Sequence, residues 1–478
     1  MATTTVDHLE EKDESKEEDE EVILKYEYDR TEFHLTWIAD TADFFHKEKL
    51  DEDVFLSMVG QEDNMEPEEF AEFLEELQKD EVVETLDLTG FKLVDLNDLG
   101  IDGTGNNERL SSVFDAILKG TGPLVNINLS SNHFGLHSWR LLSVLSDFLT
   151  LTKIEALDLT GCTLMTPGRR VYNGILLLAE AFRQMPRLKR LRLTDNGLDV
   201  ECFKAITHKL LERALDPESV QVEALDLSQN PLLQDLHGSR TDGAWGPFCH
   251  ALRHWRALAF LNVSDLEADY LICQELLASL PELINLETFI CERNELHIVG
   301  AKEIARQLDS NKCIRYLRIA GSQIEDEGAI AILEALKQNE TLQYLDISDN
   351  GLTVEIKASV ERVALDSISI MDICFAGNEI SSEDVEEFTT LIHANHQFNH
   401  LRQSPENFDI TAVTEAVYSN IVHKLDRLTR AEMKGLQHNP LFEENEDLRS
   451  RLLLLCPPTR DELVQQAMER KKLLLANG

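Results

Sequence analysis

Apolar and polar positions along this chain follow a phrase, L-x-x-L-x-L-x-x-N-x-L, that returns again and again. It is most regular in LETFICERNEL, IRYLRIAGSQI, LQYLDISDNGL and IMDICFAGNEI, whose ninth positions, Asn294, Ser322, Asn350 and Asn378, lie 28 residues apart. Six earlier copies place Phe91, Asn132, Cys162, Asn196, Asn230 and Leu266 at the same point, at spacings between 28 and 41. Within each copy the apolar residues alternate with polar ones, which predicts a short strand with one face inward. The ninth residue turns the chain and satisfies backbone groups of neighbouring copies. An amphipathic stretch follows. In EDEGAIAILEALKQNETL, Ile330, Leu333 and Leu336 recur at helical spacing and are expected to face the strands. About ten strand–turn–helix units between residues 83 and 400 cannot bury their apolar faces singly, so they are expected to stack into one solenoid.

The phrase resembles that of leucine-rich repeats, and a 28-residue unit with a full helix resembles the long, ribonuclease-inhibitor-like type. The implied fold is α/β: a horseshoe with a parallel concave sheet, outer helices, and helical N- and C-terminal caps. Residues 1–25 read as an acidic disordered tail. Residues 26–82 read as an acidic helical cap, because PEEFAEFLEEL starts with proline and spaces Phe70, Phe73, Leu74 and Leu77 on one helical face. Residues 401–478 read as a helical C-terminal cap or extension. Two stretches break the rhythm: LNDLGIDGTGNNERLSS in the first copy and LLQDLHGSRTDGAWGPF in the fifth.

Charge narrows the partners. The formal charge is −43, with 29 acidic against 7 basic residues in 1–82 and 12 against 11 in 401–478. Such a chain repels phosphate backbones and anionic headgroups, so nucleic acid and membranes are not expected partners. Eight scattered cysteines without a C-x-x-C pair suit reduced thiols. Neither a signal-peptide core nor an apolar run of membrane-spanning length occurs. The expectation is a cytoplasmic protein, the nuclear periphery included, and not a secreted one.

Chemistry-bearing patterns are sparse. Phosphate-loop, nucleophile-elbow and H-E-x-x-H motifs are absent, so neither an intrinsic catalytic site, a cofactor nor a small-molecule substrate is expected. His393, His396 and His400 have metal-like spacing without a fourth ligand in view, and read as a helix surface rather than a metal site. The outward strand positions carry Phe260, Tyr316 and Tyr344, with Arg192, Arg315 and Arg318 and the acids Asp158, Asp226 and Asp346 beside them. Aromatics mixed with arginine are enriched at protein–protein hot spots. Of these, Phe260, Tyr316, Tyr344, Arg192, Arg318 and Asp346 are the expected partner-binding residues.

One sub-pattern is narrower. Over residues 86–200, in order, come LTGFKLVDL, a VFDAIL helix, LSSNHFGLHSWRLL, TPGRR and LTDNGL. This stretch resembles the Ran GTPase-activating protein family, whose members are crescents of this repeat type. In that family a ladder asparagine is followed by a glycine and a signature arginine, here Asn132, Gly135 and Arg140. Gly168 and Arg169 match its Thr-Gly-Arg loop, and Asn196 its Ser-Asp-Asn motif. The resemblance implies activation of a Ran-type small GTPase without an arginine finger, by steadying the GTPase's own glutamine and switch region. Arg140, Asn196, Arg169 and Asn132 would form the activating rim. The alternative, from the concave residues, is a non-catalytic interaction scaffold within a larger assembly.

Overall fold

The structure is a computed structural model that describes residues 55–57, 67–79, 83–94, 108–120, 122–135, 139–165, 172–235 and 238–403 (240 and 242 excepted), together with 433, 436 and 448–450. Its strands are β1 Phe55–Ser57, β2 Thr85–Asp87, β3 Asn126–Asn128, β4 Ala156–Asp158, β5 Arg190–Arg192, β6 Ala224–Asp226, β7 Phe260–Asn262, β8 Thr288–Ile290, β9 Tyr316–Arg318, β10 Tyr344–Asp346 and β11 Asp372–Cys374. Each pairs in parallel with the next, giving one sheet of eleven strands in sequence order. The helices of the described residues are α1 Pro67–Lys79, α2 Glu108–Lys119, α3 Trp139–Leu151, α4 Tyr172–Gln184, α5 Val200–Leu215 and α6 Trp245–Leu252, then α7 Tyr270–Leu277, α8 His297–Leu308, α9 Glu325–Leu336, α10 Lys357–Asp366 and α11 Ser382–Gln403. This strand–helix alternation is that of a leucine-rich-repeat solenoid.

The core forms as the alternation predicts. The inward strand residues Leu86, Ile127, Leu157, Leu191, Leu225, Leu261, Phe289, Leu317, Leu345 and Ile373 are all buried, in one continuous cluster with the helix faces. Wide helices on one side and strands about 4.8 Å apart on the other bend the stack toward the sheet, which lines the concave side. In α9 the buried face is Ala329, Ile332, Leu333 and Leu336. Ile330, expected on that face, is only partly buried against the core. The i, i+3, i+4, i+7 stripe runs one step away from it, through Ala329 and Ile332.

The ninth-position residues form the expected ladder. The Asn230 amide donates to the carbonyls of Leu193, Leu227 and Ser228, and its oxygen accepts from the backbone of Asn196 and Leu198. Asn132, Asn196, Asn294, Asn350 and Asn378 bind their neighbours in the same way. Cys162 gives its thiol to the Leu129 carbonyl, and Ser322 its hydroxyl to Cys291. The residue before each ladder position (Gly90, Ser131, Gly161, Asp195, Gln229, Asp265, Arg293, Gly321, Asp349, Gly377) has a left-handed backbone, φ between 50° and 66°. That conformation lets the chain leave the strand and start the turn.

The segment 26–82, expected to be a helical cap, contains α1 as expected, with Phe73 and Leu77 buried. It also contains β1, which pairs with β2 in register Phe55↔Thr85. A strand followed by a helix is one more repeat unit rather than a helical lid alone. The fifth-copy insertion ends by burying Trp245, which opens α6 and donates its indole N–H to the Ile272 carbonyl. The acidic tail, most of the first-copy loop and most of residues 404–478 lie outside the described residues.

Candidate functional site

The strand-lined face is built from two outward rows, the first and third residues of each strand. Parallel pairing sets these side chains side by side, about one strand spacing apart. In the third-residue row the Arg192 guanidinium lies between Asp158 and Asp226, with N–O distances of 3.2 and 3.4 Å. Asn262 then donates to Asp226 at 3.1 Å. All four are buried. Further along, Arg318 lies 2.6 Å from Glu292 and 3.6 Å from Asp346. Burial pushes the Asp158 carboxyl above its ordinary range, and Arg192 opposes this. Glu292 is raised for the same reason, against the pull of Arg318. Charges held this way, among their own counter-ions, are costly to move and present a fixed field.

In the first-residue row Tyr316 and Tyr344 are neighbours, paired in the β9–β10 register. Phe260 packs over Ala224 and Ala156. Of the six expected partner-binding residues, Phe260, Tyr316 and Arg318 are half-buried and offer surface. Tyr344, Arg192 and Asp346 are 3%, 4% and 6% exposed and act from beneath. Packing against same-row neighbours removes them from the surface, a correction to the direct contacts expected of them.

The proposed rim residues separate further. Arg140 is exposed in the first turn of α3. Asn132 and Asn196 are 2% and 1% exposed, and every amide hydrogen bond found for them goes to backbone. They shape the loops and have no group left to contact a partner, which corrects the direct role expected of them. Gly168 and Arg169 lie outside the described residues. Gly135 has a clear physical role: a Cβ there would run into the backbone carbonyls of Thr163 and Leu164 in the next repeat.

Of the histidine trio, the His393 ring lies 3.6 Å from Asp372. Among the described residues no group of His, Cys, Asp and Glu could hold a metal, and no helix is long and apolar enough to cross a membrane. Outward groups missed by the phrase reading sit in the left-handed row, where Asp195, Gln229, Arg293 and Asp349 are exposed. Their signal is the frequency of Gly and Asp just before the ladder residue.

Comparisons with known proteins agree on the repeat and stop there. A family model described as Leucine Rich repeat matches residues 310–333 and 338–356. Ribonuclease inhibitor from Sus scrofa is 24% identical over 286 residues, 59% of this chain and 58% of the inhibitor. The human "NACHT, LRR and PYD domains-containing protein 13" is 24% identical over 275 residues, 56% of this chain and 24% of that protein. The chain therefore spans less than two thirds of each of these relatives. Among solved structures, the leucine-rich repeat-containing protein LegL7 from Legionella pneumophila covers 71% of this chain and 97% of its own, at 17% identity and a TM-score of 0.39.

Proposed function

We propose that this chain is a protein-binding solenoid that holds a protein partner against its strand-lined face and acts as a non-catalytic scaffold. The observation that carries this reading is the support beneath the half-exposed groups. Tyr344 backs Tyr316, Glu292 and Asp346 flank Arg318, and Ala224 underlies Phe260. Aromatics and a guanidinium fixed before binding lose little entropy on contact, which is what hot spots require. The test is recovery of a protein partner on immobilised full-length protein. Tyr316→Ala and Arg318→Ala are each expected to lower recovery about tenfold. Recovery equal to wild type would remove the strand-lined face from the interface.

A second reading is favoured by the ordered motifs of residues 86–200: activation of a Ran-type small GTPase. In it, Arg140 meets the GTPase, while Asn132, Gly135 and Asn196 hold the loops that form the rim. Positioning the GTPase's own glutamine and its attacking water is all the help phosphoryl transfer needs. Phosphate release from GTP-loaded Ran is the measurement, with wild type, Arg140→Ala and Asn196→Ala. Acceleration by wild type and its loss in Arg140→Ala are expected. No acceleration by wild type ends this reading and leaves the scaffold.

A further inference from the structure

At the entry to β8, β9 and β10 the strand-lined face opens into a cleft of about 310 Å³. It is lined over three consecutive repeats by Ile284, Glu287, Lys312, Arg315, Glu340 and Gln343, among others. Three of its uncharged polar walls are already engaged. Asn285 donates to the Arg256 carbonyl, the Thr341 hydroxyl faces the Asn311 carbonyl, and the Cys313 thiol donates to the Ile284 carbonyl. Besides Gln343 the charged groups remain, and two of them are cations.

Those cations stand out against the rest of the face. Lys189, Arg190, Arg192, Arg293 and Arg318 also project from this side, and each has a side-chain partner: Glu155, Asn126, Asp158 with Asp226, Asp265, and Glu292 respectively. Arg315 and Lys312 are exposed, and neither makes a side-chain ion pair or hydrogen bond among the described residues. In a chain with 88 acidic and 45 basic residues, an unpaired carboxylate is the ordinary case and an unpaired strand-side arginine is not. The backbone holds both ends of the cleft in place: Arg315 N–H donates to the Glu287 carbonyl, and Gln343 N–H to the Arg315 carbonyl, each at 2.8 Å.

We propose that this cleft is a docking notch for a polypeptide segment of a protein partner that carries a single carboxylate, an Asp or Glu side chain or a chain terminus. The carboxylate bridges Lys312 and Arg315, where charge-assisted hydrogen bonds are strongest and a guanidinium can bind both oxygens. An apolar neighbour of the acid rests on Ile284, which is 59% exposed. Glu287 and Glu340 line the same cleft and set the selectivity. One carboxylate between the cations is neutralised, whereas a run of acids meets like charge. That excludes the chain's own LEEKDESKEEDEE as the occupant. The proposal rests on the protein-binding reading and names the chemistry of one contact within it.

The probe is an array of labelled heptapeptides with amidated C-termini, each with one Asp or Glu among Leu, Ser and Lys, each paired with its Asn or Gln counterpart. A peptide copying residues 9–21 is included. Full-length wild type, the Lys312→Gln/Arg315→Gln double variant and Lys153→Gln, an exposed cation on a distant repeat, are compared by fluorescence anisotropy. At least one single-acid peptide is expected to bind wild type and Lys153→Gln about tenfold more tightly than its amide counterpart does, and to lose that margin in the double variant. Equal binding of acid and amide peptides, or equal binding by the double variant, overturns the proposal. Tighter binding of the residue 9–21 peptide than of every single-acid peptide overturns the assignment to a partner. Failure here alongside lost partner recovery in Tyr316→Ala leaves the scaffold reading standing without the notch.

Discussion

Tyr316 and Tyr344 stack across adjacent strands with ring centroids 4.9 Å apart and planes within 4° of parallel. The two rings share one role but divide it, since Tyr316 is half-buried and Tyr344 almost wholly buried. Tyr344→Ala is expected to destabilise the protein by about 2–4 kcal/mol and also to weaken partner recovery, because Tyr316 loses its backing. Tyr316→Ala is expected to cost less in stability and at least as much in recovery. Urea denaturation beside the recovery assay separates the two. A Tyr344→Ala protein as stable as wild type would show that the stack supports nothing.

Arg213 carries a second expectation. It is 2% exposed, and its guanidinium donates to the carbonyls of Phe182, Arg183, Met185, Leu188 and Val220, thereby closing the C-terminal end of α4. Burial lowers its pKa to about 10. Arg213→Met keeps the stem and strands these acceptors, at an expected cost of about 3 kcal/mol or more. Arg213→Lys keeps a charge but not the planar fork, so it is expected to recover only part of the loss. Equal denaturation midpoints for wild type and Arg213→Lys would refute the geometric argument.

Acid should loosen the contact between α4 and α5. Glu180 sits among Arg183, Gln184 and Lys209, and the Arg183 hydrogen bond above all holds its carboxyl at about 2 rather than 4.5. Because the native carboxylate takes up a proton less readily than the unfolded one, its contribution is complete above about 4.5 and is lost as the pH falls toward 2. The urea midpoints of wild type and Glu180→Gln should therefore differ most at neutral pH and converge on acidification. A pH-independent difference would assign the effect to packing instead.

Two glycines separate backbone strain from crowding. Gly90 has φ +63° with open space where a Cβ would go, so Gly90→Ala is expected to cost about 1–2 kcal/mol. At Gly135 the added carbon meets backbone oxygens of the next repeat, which cannot swing aside. Gly135→Ala is expected to cost about 3 kcal/mol or more, and thermal denaturation of the two variants should rank them in that order. The reverse order would mean that the repeats can shift apart at little cost.

Strands and ladder were legible because they depend on the nearest neighbours in a periodic phrase. β1 was not, since DVFLSMVGQ has Asp53 where the first leucine belongs and Gln61 at the ladder place. Only pairing with β2 gives it away. The helix after it was visible from Pro67 and its apolar spacing, because that pattern is local. The concave residues were placed on the correct strands, but their exposure was not legible. Whether Tyr344 or Arg192 reaches the surface depends on what the same row carries one repeat away, and that pairing is a property of the stack. Arg213 was hidden for a related reason, as three of its five acceptors belong to the preceding repeat unit.

Each strand of this sheet touches only the strands before and after it in the sequence. A push applied at one strand must pass through every intermediate repeat in turn, and each soft interface along the way absorbs part of it. The repeats around Arg140 and those around Arg315 are therefore mechanically remote. Such a body is a poor lever: an object bound at one repeat is little felt by another bound several repeats away.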